Sequence, residues 1–364
     1  MKKKFATIFN DFENVHLTKD VGMIPCAFTM LEGYDKSVIF YWDKKGKDKK
    51  AELNEVVLHP IKARFRLFYY LKLFFEITVG NVTALNLYHD SLQTVLFCYI
   101  AKLIGVKVYL KLDLANAGCN ILLEKSKSKG FINRFRIKGM NLATCISTET
   151  LSVFDILNKN KVFKKDRFFQ IPNAVLKVTV KSKPKPYLER HNRIIIVGRI
   201  GAYQKNHELI FEALSEIKTL NGWTIDFIGP IEESFKGEID SFYKKNESYR
   251  NIVRFLGNKN RDELMDIYST SKVFLLSSRW EGFSLALVEA AYLGCYIITT
   301  NVGGAVEVTD NGSYGDIYEE EELAEKLRQL DDSIVGAGYE KRLTFCQDNF
   351  QLEKYSKIIA KRLG

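Results

Sequence analysis

Leu275-Leu-Ser-Ser-Arg-Trp-Glu-Gly-Phe-Ser-Leu-Ala-Leu-Val-Glu-Ala-Ala-Tyr-Leu-Gly294 reads as the end of a buried strand, a turn and a helix. The strand stops near Leu276, the turn holds Glu281 and Gly282, and Ser284 is a natural N-cap for a helix starting near Leu285. Free backbone N–H groups at that helix start, with the positive end of the helix dipole, suit a pyrophosphate. Gly282 lets a ligand approach the backbone closely, and Phe283, Ser284 and Leu285 continue the same anion-binding turn. Glu289 sits mid-helix among Leu285, Leu287, Val288, Ala290, Ala291 and Leu293. A carboxylate on so apolar a helix needs a partner, and ribose hydroxyls would serve as donors. Glu281, in the turn, is expected to point towards the bound ligand.

Working outward, short β-branched or aromatic runs alternate with helix-like stretches. In the first half, strands are predicted at 5–9, 37–41, 85–88, 106–110, 144–147 and 168–171, with helices at 61–76, 91–104 and 148–158. In the second half, strands are predicted at 193–198, 223–228, 252–255, 272–276 and 295–300. Helices there are expected at about 206–219, 232–246, 261–270, 285–293 and 320–329. This rhythm predicts two α/β domains with parallel sheets, facing each other across a ligand cleft at the carboxyl ends of their strands. The expected boundaries are a first domain at 1–175, a linker at 176–192 and a second domain at 193–345. A C-terminal helix at about 346–364 is expected to pack back on the first domain. The linker reading rests on Lys177-Val-Thr-Val-Lys-Ser-Lys-Pro-Lys-Pro-Tyr187, rich in lysine with prolines at 184 and 186.

The chain has 364 residues, enough for two cores, and its 46% hydrophobic and 27% charged content is that of a globular protein. No apolar run is long enough to span a bilayer, and the basic start is followed by residues too polar for a signal peptide, so a cytoplasmic address is expected. The six cysteines are scattered without metal-ligand spacing and read as small hydrophobes. Residues 1–193 carry 34 Lys and Arg against 17 Asp and Glu, whereas residues 194–364 carry 20 against 27. The basic half points to an anionic partner such as a membrane surface or a pyrophosphate-linked lipid, although a merely solvated basic surface would give the same imbalance.

Glu281-Gly-Phe-Ser-Leu-Ala-Leu-Val-Glu289 resembles the E-x7-E motif of retaining GT-B glycosyltransferases, specifically family 4. Ala290 to Gly294, the strand Tyr296-Ile-Ile-Thr-Thr300 and Asn301-Val-Gly-Gly-Ala-Val-Glu307 continue the resemblance. Cys295 and Tyr296 replace a small residue and a proline. Ile194-Ile-Ile-Val-Gly-Arg199 with Lys205-Asn206 is similar to the family's strand–GR–K element, and includes Gly198 in the donor set. Arg199 and Lys205 would clamp a diphosphate whose charge grows as it leaves. Five residues separate them where the family has four, which requires a bulge, with Gly201 the candidate. Phe255-Leu-Gly-Asn258 is similar to a loop that lies along the nucleobase, and Ile171-Pro-Asn-Ala-Val175 to the segment closing the first domain.

The first half departs further from the family. Gly22 stands where the family has a glycine-rich phosphate loop, but an ordinary turn glycine would read the same way. His89 ends a strand and could hydrogen-bond sugar or acceptor, or be structural. In Tyr109-Leu-Lys-Leu-Asp113, Leu112 takes the place of the family's histidine; the role is lost, moved to Lys111 or supplied by His89. The stretch 61–75 mixes cations with six rings, and 130–138 repeats the character. Either would suit a membrane interface or an ordinary domain helix.

The resemblance implies a two-Rossmann, GT-B transferase that moves a hexose from a nucleoside-diphosphate sugar, UDP-linked by preference, with retention and without a metal. Catalytic roles are expected at Glu281, Arg199, Lys205 and His89. The donor set is Gly22, Gly198, Arg199, Lys205, Asn258, Gly282, Phe283, Ser284, Leu285 and Glu289. The acceptor would be a glycan or a polyprenyl-diphosphate-linked lipid in capsule or surface-polysaccharide assembly, with peripheral contact at the inner membrane face. A GT-B sugar-nucleotide epimerase and a non-catalytic nucleotide-sugar or anionic-polymer binding subunit are the rival readings. A nucleic-acid partner is not expected, because it leaves Glu281, Glu289 and Arg199 without a role.

Overall fold

In the computed structural model, which describes residues 2–44, 56–217 and 219–364, the apolar runs become parallel strands in two separate sheets. The chain divides into two compact units, one of Met1–Pro172 with Leu352–Gly364 and one of Asn173–Gln351.

The first unit holds β1 (Phe5–Ile8), β2 (Val38–Asp43), β3 (Val57–Lys62), β4 (Ala84–Tyr88), β5 (Lys107–Leu112), β6 (Cys145–Thr148) and β7 (Phe168–Gln170). They lie in the order β3-β2-β1-β4-β5-β6-β7. The helices are α1 (Asp20–Thr29), α2 (Arg66–Val79), α3 (Leu92–Leu103), α4 (Asn116–Lys127), α5 (Phe131–Met140) and α6 (Leu151–Lys159). β1 and β4 to β6 are buried along nearly their whole length, which is why they read as apolar runs without polar alternation. The helix Leu352–Leu363 packs against α1.

The second unit holds β8 (His191–Val197), β9 (Thr224–Ile228), β10 (Val253–Phe255), β11 (Ser271–Leu276), β12 (Tyr296–Thr300) and β13 (Gly315–Tyr318), in the order β10-β9-β8-β11-β12-β13. Around them run α7 (His207–Glu216), α8 (Lys236–Lys245), α9 (Arg261–Thr270) and α10 (Leu285–Tyr292). The strand order reverses between β8 and β11, so the loops that follow these neighbours leave the sheet in opposite directions and open a crevice. In the first unit the corresponding reversal lies between β1 and β4.

The sequence reading needs four corrections. β3 lies partly inside the helix predicted at 61–76; its Pro60 lacks a donor but is tolerated because β3 is an edge strand. β13 was missed because it is a four-residue edge strand beginning with glycine. The segment 176–192, expected as an exposed linker between the domains, is largely exposed but belongs to the second unit. Arg190 is buried there and donates to the carbonyls of Tyr268, Ser271 and Leu293, while the Lys185 carbonyl accepts from Tyr339. Residues 346–351 also belong to the second unit, and only the helix from Leu352 returns to the first. All six cysteines are buried and unpaired with one another.

Candidate functional site

The crevice of the second unit is built from the loop after β8 and the turn after β11. Ser277 Oγ donates to the Lys205 carbonyl at 2.8 Å, and Arg279 N–H donates to the Gln204 carbonyl at 2.8 Å, so the two segments are laced together. Lys205 Nζ lies 2.7 Å from Glu281 Oε1, with both side chains more than four-fifths buried. Ser278 Oγ donates to the same carboxylate oxygen at 2.7 Å, and Gln204 reaches Oε2 at 3.3 Å. Glu281 is therefore held by three donors, each from one of the two crossing loops. Neither Ser278 nor Gln204 was assigned a role from spacing, because their contacts come from the crossing of the two loops.

Between Arg199 and Lys205 the loop turns at Gly201, whose φ of +87° a side chain would strain. A Cβ on Gly201 would also lie 2.2 Å from Phe235 Cβ. The turn is pinned by His207 Nδ1, which accepts the Gly201 N–H at 3.0 Å. Burial, with Lys205 nearby, pushes the His207 imidazole down to about 3, so it stays neutral and keeps that lone pair available. Arg199 does not join the Lys205–Glu281 pair. It is largely exposed and lies 3.6 Å from Glu232.

The turn itself rests on Gly303 and Gly304. A Cβ on Gly303 would sit 1.8 Å from the Gly282 carbonyl oxygen, and one on Gly304 would sit 2.9 Å from the Phe283 ring. Ser284 caps α10, its hydroxyl accepting from Leu287 N–H at 3.5 Å. Phe283 and Ser284 are buried, whereas Gly282 and Leu285 are half-buried. Asn173 Nδ2 donates to the Phe283 carbonyl at 2.8 Å.

Glu289 is buried, and its partner within the unit is Arg261, which reading the sequence did not find. Arg261 Nη1 meets Glu289 Oε1 at 2.8 Å, and Nη2 reaches Thr179 Oγ1 at 3.2 Å. Burial pushes the Glu289 carboxyl up and Arg261 offsets part of that shift. The apolar helix signalled that Glu289 needs a partner; Arg261 lies on α9, 28 residues away, beyond any local pattern. Gly198 lies against the Lys205 stem, 3.1 Å from its Cε if a Cβ were added, and Asn258 is exposed after β10.

In the first unit the predicted residues gather at the β1–β4 reversal. His89 is exposed in a left-handed conformation, φ +62°, and its N–H donates to the Lys111 carbonyl. Gly22 lies in the first turn of α1 and not in a loop; a Cβ there would be 2.4 Å from the Leu17 carbonyl oxygen, so packing accounts for the glycine. Leu112 is fully buried. Lys111 is buried between Asp20 at 2.9 Å and Glu149 at 2.7 Å, which raise its pKa well above the usual lysine range against the effect of burial. Among the described residues, no three His, Cys, Asp or Glu side chains gather as a metal site.

Residues 179–334 match the family model described as Glycosyl transferases group 1. This span is a group 1 glycosyltransferase domain. The chain is 23% identical over 265 residues to a sucrose synthase of Melioribacter roseus, covering 70% of this chain and 31% of that protein. It is 29% identical over 189 residues to the capsular polysaccharide biosynthesis glycosyltransferase CapM of Staphylococcus aureus, covering 48% and 46%. The chain thus spans less than half the length of these curated relatives. Among solved structures it is similar to a sucrose-phosphate synthase from Thermosynechococcus elongatus, with TM-score 0.70 and 13% identity over 99% of this chain and 98% of that one. Anabaena Alr3699/HepE in complex with UDP-glucose gives TM-score 0.69 and 16% identity over 99% of each chain. These likenesses show the fold: two parallel-sheet α/β domains of the kind found in GT-B glycosyltransferases. The group 1 domain contains every element of the Lys205–Glu281 and Arg261–Glu289 pairs.

Proposed function

We propose that the protein is a retaining family 4 hexosyltransferase whose second unit binds a nucleoside-diphosphate sugar, UDP-linked by preference. The observation that carries this reading is the Lys205–Glu281 pair at 2.7 Å, set on a turn that opens the buried helix bearing Glu289. Lys205 has a position from which to take the leaving diphosphate, and the free N–H groups at the start of α10 add to it. Arg199, exposed and only weakly paired at 3.6 Å, turns onto the same diphosphate. Glu281 orients the donor sugar and stabilises the charge that develops on it. Glu289 accepts from the ribose hydroxyls, with Arg261 opposing the burial that raises its pKa. A front-face displacement, in which the leaving phosphate takes the acceptor's proton, needs no protein nucleophile and no metal.

The acceptor is a glycan or polyprenyl-diphosphate-linked lipid of bacterial polysaccharide assembly, met at the cytoplasmic membrane face by the basic first half. The group 1 match, the capsular relatives and the UDP-glucose complex described for Anabaena HepE support this reading. The test is donor hydrolysis against a panel of UDP-, GDP- and ADP-hexoses in EDTA, for wild type and Glu281→Ala. Slow hydrolysis of one donor, abolished by the substitution, is expected. Hydrolysis that is unaffected by Glu281→Ala, or that requires a divalent cation, overturns the proposed roles.

A further inference from the structure

α2 buries Tyr69, Leu73 and Ile77 in the core of the first unit. At about 100° per residue, Leu67, Leu71, Phe74 and Phe75, flanked by Phe68 and Val79, fall on the opposite side. All six are 39–66% exposed. No charged side chain of α2 falls in that sector. Its one polar residue, Thr78, directs its hydroxyl onto the Phe74 and Phe75 carbonyls of its own helix. The charges of α2 lie to the flanks: Arg66 bonds Tyr70 and Gln93, Lys72 donates to the Lys62 carbonyl, and Glu76 pairs with His59.

The apolar face continues beyond α2. The Arg66–Gln93 bond and the Tyr70–Phe97 ring contact set α3 alongside, and α3 adds exposed Leu92 and Leu96. Gly139 lies against Val95, and Tyr99 stacks on Phe135, so α5 runs antiparallel to α3. That brings Leu103 and Phe131 to the same end, where they are 85% and 83% exposed. The same elements, their loops and the end of α4 carry exposed Arg64, Lys102, Lys127, Lys129, Arg134 and Lys138, against one exposed carboxylate, Glu124 on α4.

We propose that this face, centred on α2 and continued by α3 and the start of α5, docks on an anionic lipid bilayer. The rings and leucines enter the headgroup–acyl boundary, and the surrounding cations meet the headgroup phosphates. No helix among the described residues is long and apolar enough to cross a membrane, so attachment is to the surface. A second copy of the chain is the weaker occupant, because two such faces would bring like cations together. The assignment names the lipid surface within the transferase reading and rests on it for its biological sense, although the docking itself requires no catalysis.

The test is co-sedimentation of the full chain with vesicles of phosphatidylcholine, with and without phosphatidylglycerol. Binding is expected to the anionic vesicles only and to fall at high salt. Leu71→Ser with Phe75→Ser should lower partitioning about tenfold or more, leaving the melting temperature and nucleotide-sugar binding unchanged. Three results overturn the docking: no vesicle binding, binding indifferent to the paired substitution, or a solution dimer by light scattering that the same substitutions dissolve. Vesicle binding by a protein that ignores every nucleotide sugar would instead keep the docking and reject the transferase reading.

Discussion

Replacing Arg261 by methionine leaves Glu289, 6% exposed, without its cation. Removing one member of a buried ion pair costs about 3–5 kcal/mol, because the remaining charge is desolvated and uncompensated. Glu289 has a way out: it can take a proton. Its folded-state pKa in wild type already lies above the reference 4.5, so protonation costs less than about 4 kcal/mol at pH 7.5 and less than about 1.4 kcal/mol at pH 5.5. That cost caps the penalty, to which loss of the Arg261–Thr179 hydrogen bond adds about 1 kcal/mol at any pH. In the variant, the folded-state pKa of Glu289 lies above its unfolded value. The variant is therefore nearest wild type at low pH, and the gap widens as pH rises past the wild-type folded-state pKa, which lies above 4.5. Denaturant unfolding of the second unit, followed by Trp223 and Trp280, should give a deficit that is larger at pH 7.5 than at pH 5.5 and stays below about 5 kcal/mol at the first and about 2 kcal/mol at the second. Adding Glu289→Gln should recover most of the deficit at pH 7.5. A deficit independent of pH, or a double variant whose loss is the sum of the two single losses, refutes the coupling.

Gly303→Ala should displace the Glu281–Gly282 turn, since its Cβ would lie 1.8 Å from one carbonyl oxygen and 2.6 Å from another. A loss of about 1–3 kcal/mol in stability is expected, with disappearance of the donor-induced rise in melting temperature; an unchanged donor response contradicts the role given to the glycine. His207 has its folded pKa held far below the unfolded value, so its contribution is complete above about pH 6.5 and lost as pH falls towards about 3. At pH 5 this amounts to about 2 kcal/mol, and His207→Asn, which keeps an acceptor for Gly201 N–H, should flatten that part of the stability–pH curve measured by denaturant titration.

The motif was legible where the chemistry is local. Ser284, Glu281 and Glu289 share a strand–turn–helix unit, so spacing and apolar context placed them without knowledge of the sheet. Arg261, Ser278, Gln204 and Gly303 were not assigned roles, because they reach the site from other loops through packing alone. The extra residue after Arg199 could be counted in the sequence, but the anchor of the Gly201 turn, His207, could not. α1 was not predicted: Pro25 lies inside it and Gly22 near its start, both adverse to helices, and burial of eight of its ten residues outweighs that local cost. On α2, the cations at 62 and 64 precede the helix, so its charge-free face shows only once the helix start at Arg66 is known.

The central claim is that the group 1 domain binds a nucleotide sugar through Lys205 and Glu289. Calorimetric titration of UDP-glucose and related donors into wild type, Lys205→Met and Glu289→Ala tests it most directly. Wild type is expected to bind at least one donor saturably, and each variant to bind it more weakly by about 2 kcal/mol or more through loss of a charge-assisted contact. Absence of binding by every nucleotide sugar, or equal affinity in all three proteins, would contradict it.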